Sequence, residues 1–282
     1  GHAGAVSRAE FTESTLTNRT GPIIGIAGHG NVLLTDSTAS GADQWLRVGS
    51  LEDFPLLDSQ EPPLLGPSDF PDDEGNSPVV TAPGVPAAPP STPGLANVTL
   101  TRSTVTGSAL TSVGSVSNLT LLDSLWNLTG NSNLTNLIND PSLIDFAAPI
   151  GGIYKTLTVV NYSGDGTLAF NTFLGDDSSP SDTLIIDGGT GTGTSLIRVK
   201  PSGGTGALTL DNGILLVDAV NGGNTGPQAF SLEGRVVAGP YEYTLQRSGL
   251  NGLQQDNWFL RSTIDCSAPN APVPPCPAPP DP

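Results

Sequence analysis

The sequence contains no methionine, and its only two cysteines, Cys266 and Cys276, lie near its C-terminus. The missing methionine predicts a processed chain or a fragment. A body without cysteine is common in proteins that cross a bacterial envelope unfolded, because a premature long-range disulfide would block their passage. The cysteine pair is a candidate disulfide in an oxidising compartment, with two free thiols as the alternative. Its spacing and the lack of a nearby histidine argue against a CxxC redox motif or a zinc site.

Positive charge is also scarce, with 10 Lys and Arg against 27 Asp and Glu and a net charge of −17. Nucleic-acid binding needs many basic side chains at phosphates, so we predict no nucleic-acid partner. The same balance argues against docking on an anionic membrane. No run of 18 or more apolar residues occurs, which predicts no direct membrane insertion.

Residues that carry catalysis are nearly missing. The two histidines are His2, at the terminus, and His29, in a Gly-His-Gly turn, and no G-x-S-x-G nucleophile elbow is present. The Gly/Thr-rich stretch that begins at Asp187 lacks the lysine of a phosphate loop, and it has Gly193 where a calcium-binding repeat needs an aspartate. The acidic groups at 72–74 and 176–177 are interpreted as solvated turns. We therefore predict no catalytic residue, cofactor or metal site.

Glycine and proline are abundant, at 35 and 26 residues, and they punctuate short apolar runs. No stretch keeps a 3.6-residue apolar period, so the sequence predicts an all-β protein. The signal is densest between residues 153 and 262. There the predicted strands are Tyr154–Asn161, Gly166–Leu174, Asp182–Asp187, Ser195–Lys200, Ala207–Leu210, Ile214–Val220, Ala229–Val237, Tyr241–Arg247 and Trp258–Arg261.

A proline-rich, partly acidic segment covers residues 50–96, where eleven prolines break the strand pattern. Proline lacks the ladder N–H, so this segment is predicted to be an extruded loop or linker between strand-rich regions. A partner-recognition role is the alternative, and its apolar anchors would be Phe54, Leu56, Leu57 and Phe70.

A short unit of asparagine, apolar residue and threonine begins at Asn97, Asn118, Asn127 and Asn133. Such echoes predict stacked coils in which identical side chains form ladders, with the asparagine at a turn. The same sites read as Asn-x-Ser/Thr sequons, which in a secreted eukaryotic protein would indicate glycosylation. The repeat spacing is irregular, so it predicts a β-solenoid without a fixed period.

Several motifs together resemble the C-terminal part of a bacterial autotransporter passenger of the pertactin-like class. They are SNLTLLDSLWNLTGNSNLTNLINDPSLIDF, IYKTLTVVNYSGDGTLAFNTFLGDDSSPSDTLIIDGG, GPYEYTLQRSG and DNWFLRS. The resemblance covers residues 118–262 closely and residues 1–117 only in style. It implies a right-handed parallel β-helix whose last coils are an autochaperone segment.

The resemblance divides the chain into five parts. It implies β-helix coils at 1–49 and 97–152, the proline-rich segment between them, an autochaperone segment at 153–262, and a proline-rich linker at 263–282. That linker would lead to the chain's partner, a translocator β-barrel absent from this sequence. The implied location is the bacterial cell surface, on the extracellular side of the outer membrane, or the medium after cleavage.

A C-terminal aromatic cap follows from the physics of such a fold, because the end of a β-helix exposes unpaired backbone groups. The cap and folding-core candidates are Phe230, Tyr241, Tyr243, Trp258, Phe259 and Leu260. We predict a non-enzymatic surface protein in which this segment caps the helix and nucleates folding. The whole passenger would serve as an adhesin or virulence factor with a host surface ligand. The alternatives are a polysaccharide-active or polysaccharide-binding β-helix, or a passive surface spacer.

Overall fold

The computed structural model describes residues 6–41, 43–54, 92–250 and 252–264, and these residues form an all-β structure. One short 3-10 helix, Leu51–Asp53, accompanies the strands. The strands are β1 Ser7–Thr12, β2 Thr15–Asn18, β3 Ile24–Ala27, β4 His29–Thr35, β5 Thr38–Gly41, β6 Gln44–Gly49, β7 Leu95–Thr101, β8 Thr104–Thr106, β9 Ser108–Thr111, β10 Val116–Leu122, β11 Leu125–Leu128, β12 Ser132–Asn139, β13 Leu143–Phe146, β14 Thr156–Gly164, β15 Thr167–Phe173, β16 Thr183–Asp187, β17 Thr190–Gly191, β18 Ser195–Gly203, β19 Ile214–Val220, β20 Asn224–Thr225, β21 Phe230–Leu232, β22 Val236–Ala238, β23 Tyr241–Arg247 and β24 Trp258–Ile264.

Successive coils of the chain stack to form a parallel β-helix. The first sheet runs in the order β1-β4-β7-β10-β12-β14-β16-β19 and the second in the order β2-β5-β8-β11-β13-β15-β18-β21, while β3, β6 and β9 form a third. Every pairing within these series is parallel, so each coil returns to the same face one level along the helix axis. The prediction of an all-β parallel β-helix is confirmed.

The stack continues across the proline-rich segment. Strand β4 pairs with β7 in register from His29–Leu95 to Thr35–Thr101, although residues 50–94 separate β6 from β7. The coil before this segment and the coil after it are therefore direct neighbours. Of the proposed anchors, Phe54 is half-buried and lies 5.9 Å from the Arg47 guanidinium carbon. Leu56, Leu57 and Phe70 lie outside the described residues, as does the acidic group at 72–74.

Columns of apolar side chains fill the interior because in-register parallel strands place equivalent positions above one another. One column consists of Leu34, Leu100 and Leu121, all fully buried. Aromatic rings join levels in the second and third sheets: Trp45 meets Trp126 edge to face at 5.8 Å, and Phe146 meets Phe170 at 4.9 Å. The described coils therefore share one continuous core.

A serine turn connects the first sheet to the second in coil after coil. A residue with left-handed backbone precedes the serine, such as Asp36 (φ 49°) before Ser37 and Arg102 (φ 46°) before Ser103. The Ser103 hydroxyl donates to the Thr101 carbonyl at 2.9 Å and accepts the Ser37 N–H at 3.0 Å. Ser124 repeats this pattern one level on, at 2.8 and 3.1 Å. The hydroxyls thus bridge the corners, where the strand ladder stops.

An asparagine ladder runs along the outside of the first sheet. Each amide nitrogen donates to the amide oxygen of the preceding coil over 2.7 to 2.8 Å, and the members are Asn31, Asn97, Asn118, Asn136 and Asn161. The predicted ladder is correct for Asn97 and Asn118, but Asn127 and Asn133 pair elsewhere. We expected the asparagines at turns, but they lie within strands. There the side-chain amides bond along the helix axis while the backbone groups keep their own strand pairing.

Replacing Ser103 with alanine tests the serine turns. The change leaves the buried N–H of Ser37 without a partner, so we expect a loss of about 1–3 kcal/mol in the free energy of unfolding. Chemical denaturation of the full chain measures it. Ser231→Ala, at an exposed serine in β21, is the matched control, and equal losses in the two variants would contradict a structural role for the turn.

Candidate folding core and C-terminal cap

The parallel stack ends in antiparallel strands. Strand β24 pairs antiparallel with β19, the last parallel strand of the first sheet, and then with β23, which pairs with β22. The β23–β24 hairpin is paired along its whole length, from Tyr241–Ile264 to Arg247–Trp258. The first half of the outer edge of β19, from Ile214 to Val217, is thereby paired by the chain itself.

The cap candidates come together on these strands and on β21. Tyr162, Phe230 and Trp258 form a line of rings, with centroid separations of 5.7 and 5.5 Å. Phe230 belongs to β21, the last strand of the second sheet, so its ring links that sheet to the cap. Tyr241 is half-buried, and the other five candidates are buried, namely Phe230, Tyr243, Trp258, Phe259 and Leu260.

Phe259 differs from its neighbours because it lies outside the central core. Trp258 and Leu260 both belong to the continuous hydrophobic core, and strand alternation turns Phe259 to the opposite face. Its ring is nonetheless only 3% exposed and has the Arg261 guanidinium carbon 5.9 Å from its centroid. The final strand is therefore covered on both faces.

A polar network that sequence reasoning missed fixes Trp258. The indole N–H donates to the Thr225 hydroxyl at 2.9 Å, and that hydroxyl donates to the Asp256 carbonyl at 2.7 Å. Arg247 bonds the Thr225 carbonyl at 2.7 Å and forms an ion pair with Asp256. Thr225 lies at least 22 residues before the other three, so no local sequence signal marks the network.

The segment at Ala207–Leu210, predicted as a strand, is not one. Side chains occupy its backbone groups in place of a neighbouring strand. The Tyr243 hydroxyl accepts the Ala207 N–H at 3.1 Å and donates to the Gly175 carbonyl at 2.8 Å, and burial raises the pKa of Tyr243. The Ser262 hydroxyl accepts the Thr209 N–H at 2.8 Å. The prediction was wrong because an apolar run cannot reveal side-chain competition for the backbone.

Asp177 fastens the same loop from the other side. Its carboxylate accepts the N–H groups of Leu210, Asp211 and Gly213 at 2.7, 3.1 and 2.7 Å. Partial burial alone would raise the pKa of Asp177, but these backbone hydrogen bonds outweigh it and the pKa is lowered. Asp177 is thus a loop anchor, whereas the adjacent Asp176 bonds only within its own turn, to Ser178.

A second polar cluster lies deeper, between the segments just before β14 and β16 and strand β15, which stacks on β13. Asp182 is fully buried, and its two carboxyl oxygens accept the backbone N–H groups of Lys155 and Asn171 at 2.7 and 2.8 Å. The Asn171 amide donates to Asp182 at 2.6 Å and to the Phe146 carbonyl at 2.8 Å. We call Asp182, Asn171 and Lys155 the buried knot.

The residues considered for chemistry stay apart. His29 stands half-buried on β4, and Asp187 is bound by the Asn221 amide at 2.6 Å beside the short strand β17. Within the described ranges, no three His, Cys, Asp or Glu side chains are grouped as a metal site would require. None of the helical structure in those ranges is long and apolar enough to cross a membrane. Cys266 and Cys276 lie outside the described residues.

Comparison with known proteins identifies the segment that contains the knot and three of the six cap candidates. Residues 132–245 match the family described as Autochaperone Domain Type 1. The chain is 39% identical over 118 residues to the adhesin BmaC autotransporter of Brucella suis biovar 1, which is 39% of this chain and 3% of that protein. It is 36% identical over 115 residues to the autotransporter adhesin AIDA-I of Escherichia coli, covering 40% of this chain and 9% of AIDA-I.

A longer match is the probable autotransporter YfaL of Escherichia coli (strain K12), 33% identical over 190 residues. It spans 66% of this chain and 13% of YfaL. The chain therefore corresponds to a small part of each of these three relatives. The family match also begins earlier than the predicted autochaperone segment, since it includes β12 and β13.

Replacing Tyr243 with phenylalanine tests how the cap grips the 207–210 loop. The change removes a hydroxyl that both accepts and donates in a buried site, so we expect a loss of about 1–3 kcal/mol in the free energy of unfolding. Tyr241→Phe is the control, because no hydrogen bond from its hydroxyl occurs among the described residues. Similar losses in the two variants, measured by urea denaturation, would contradict this anchoring role.

The lowered pKa of Asp177 predicts an acid-sensitive contribution to stability. A carboxyl with a depressed folded-state pKa stabilises the fold above its unfolded pKa, and this contribution is lost as pH falls through the folded value. The free-energy gap between the native chain and Asp177→Asn should thus be largest near pH 6 and narrow below about pH 4. A gap that stays constant from pH 6 to pH 2 would contradict the assignment.

Proposed function

Since this chain is an autotransporter passenger region with an autochaperone segment, we propose that its C-terminal part caps the β-helix and nucleates passenger folding. The observation that carries the proposal is the switch from parallel to antiparallel pairing at β19–β24. A parallel coil pairs its backbone with one coil on each side, so the last coil of a parallel stack lacks partners on one side. The hairpin covers the first-sheet strand of the last coil, β19, so this strand does not depend on a further coil.

The buried aromatic side chains of the cap also support folding that begins at the C-terminal end. A buried aromatic side chain contributes about 1.5–3 kcal/mol, and the cap gathers Phe230, Tyr243, Trp258 and Phe259 within one short stretch. At the other end of the described chain, the first coil has partly exposed strands, with Phe11 and Leu16 only half-buried. Folding that begins at the capped end and adds one coil at a time follows from this gradient.

The chain is an adhesin-like surface passenger, located at the cell surface on the extracellular side of the outer membrane. We propose that the capping role is non-enzymatic and that the translocator barrel implied by the autotransporter relatives is its partner during secretion. We also propose that the whole passenger binds a host surface ligand. With a net charge of −17, such a ligand would have to be neutral or basic where it meets this region.

Two fragments test the nucleation proposal. Residues 150–264 should fold alone, with the far-UV circular dichroism of a β protein and a cooperative thermal transition. Residues 1–149 should be cleaved by a low dose of protease, because their last coil exposes unpaired strands. A chain without residues 1–54 is the control and should keep its C-terminal part protected. Independent, protease-resistant folding of residues 1–149 would sink the proposal.

A further inference from the structure

The hydrogen bonds of the buried knot join three separate chain segments, which belong to two successive coils of the stack. Lys155 stands just before β14, Asn171 lies in β15, and Asp182 stands just before β16. The backbone of Asp182 also donates to the Asn171 carbonyl at 2.9 Å, and the Thr183 N–H donates to the Lys155 carbonyl at 3.0 Å. Main chain and side chains therefore lock the same three segments together.

The knot also reaches backwards along the stack. The Lys155 ammonium donates to the carbonyls of Ala147 and Ala148 at 2.7 and 3.1 Å, and the Asn171 amide donates to those of Phe146 and Ala147. These carbonyls end the coil that contains β13. The Ala147 N–H in turn donates to the Leu128 carbonyl at 2.9 Å, one coil further towards the N-terminus. A path of hydrogen bonds thus leads from Asp182 to β11.

Because its members are buried, the hydrogen bonds of the knot form together or not at all. Asp182 is 0% exposed, Asn171 6% and Lys155 8%, so water cannot replace a missing partner. A buried carboxyl group is tolerated only when hydrogen bonds satisfy its oxygens, and those donors exist only once β14, β15 and β16 are all in place. A buried polar cluster with only some of its hydrogen bonds formed is less stable than a site without polar groups.

We propose that the buried knot is the coupling point through which the folded autochaperone segment orders the preceding coils. Asp182 is its positioning residue: it fixes Lys155 and Asn171, and these two then fix the carbonyls of residues 146–148. The proposal rests on the proposed nucleating function and specifies where in the chain order passes from the C-terminal to the N-terminal coils. Without the knot, the cap remains folded and the coils before β14 lose their template.

Hydrogen exchange of the full-length Asp182→Ala chain, read peptide by peptide with mass spectrometry, tests this. Two buried N–H groups lose their acceptor, so amides in β7–β13 should exchange about a hundredfold faster or more, while those in β19–β24 keep their protection. The control is Leu184→Ala, which opens a cavity in β16 two residues away and should lower protection evenly on both sides.

A second variant covers the case in which Asp182→Ala does not fold. Lys155→Met keeps the backbone N–H and the aliphatic stem and removes only the ammonium bonds to Ala147 and Ala148, so faster exchange should again be confined to β7–β13. Equal losses before and after the knot, in whichever variant folds, would overturn the proposal. So would unchanged protection of β7–β13. The fragment 1–149 separates the two ideas, because its independent folding refutes nucleation itself, whereas unchanged exchange in these variants refutes only the knot.

Discussion

Backbone pairing between neighbouring coils is the constraint on which this β-helix depends. Each inner strand of the first sheet, from β4 to β16, bonds a parallel strand on either side, whereas a strand at an end of a parallel stack has one side unpaired. Strand β24 changes direction and covers β19 without presenting another open parallel coil. Another parallel coil would only expose a new unpaired edge one level further along, whereas the hairpin ends the parallel series. The two ends of the described stack therefore differ in stability.

The register between strands decides which side chains stack in a column, and it also decides where an apolar column ends. The inward column of Leu34, Leu100 and Leu121 continues at the next levels with Asn139 and Gly164. Asn139 is fully buried and donates to the Tyr162 hydroxyl at 3.2 Å, and burial raises the pKa of Tyr162 to about 12. Gly164 has φ 135°, and a Cβ there would come within 2.0 Å of the Asn139 carbonyl oxygen. In this column, apolar layers thus give way to specific polar contacts at the levels of β12 and β14.

The sequence predicts the class of fold well and its contacts poorly, for physical reasons. Short apolar runs and turn residues report local preference, which is why most strands between 153 and 262 are found where expected. The ladder Asn31–Asn97–Asn118–Asn136–Asn161 spans separations of 66, 21, 18 and 25 residues, so its period is hidden by coils of unequal length. The serine turns do carry a local signal, Thr-x-Ser-Thr, which occurs at 12–15, 35–38 and 101–104. Asp182 and Asp177 carry no such signal, because their partners are backbone groups distant in sequence.

Most basic side chains bond to other groups of the same chain. At least six of the ten basic residues are engaged in ion pairs within the chain, including Arg102 with Asp36 and Arg198 with Glu233 across neighbouring coils. Lys155 and Arg261 donate to backbone carbonyls instead. Several of these cations thus connect neighbouring coils, and acidic residues outnumber basic ones in the chain. A net negative charge of that kind repels other copies during folding, so growth of the stack on its own capped end is favoured over pairing between chains.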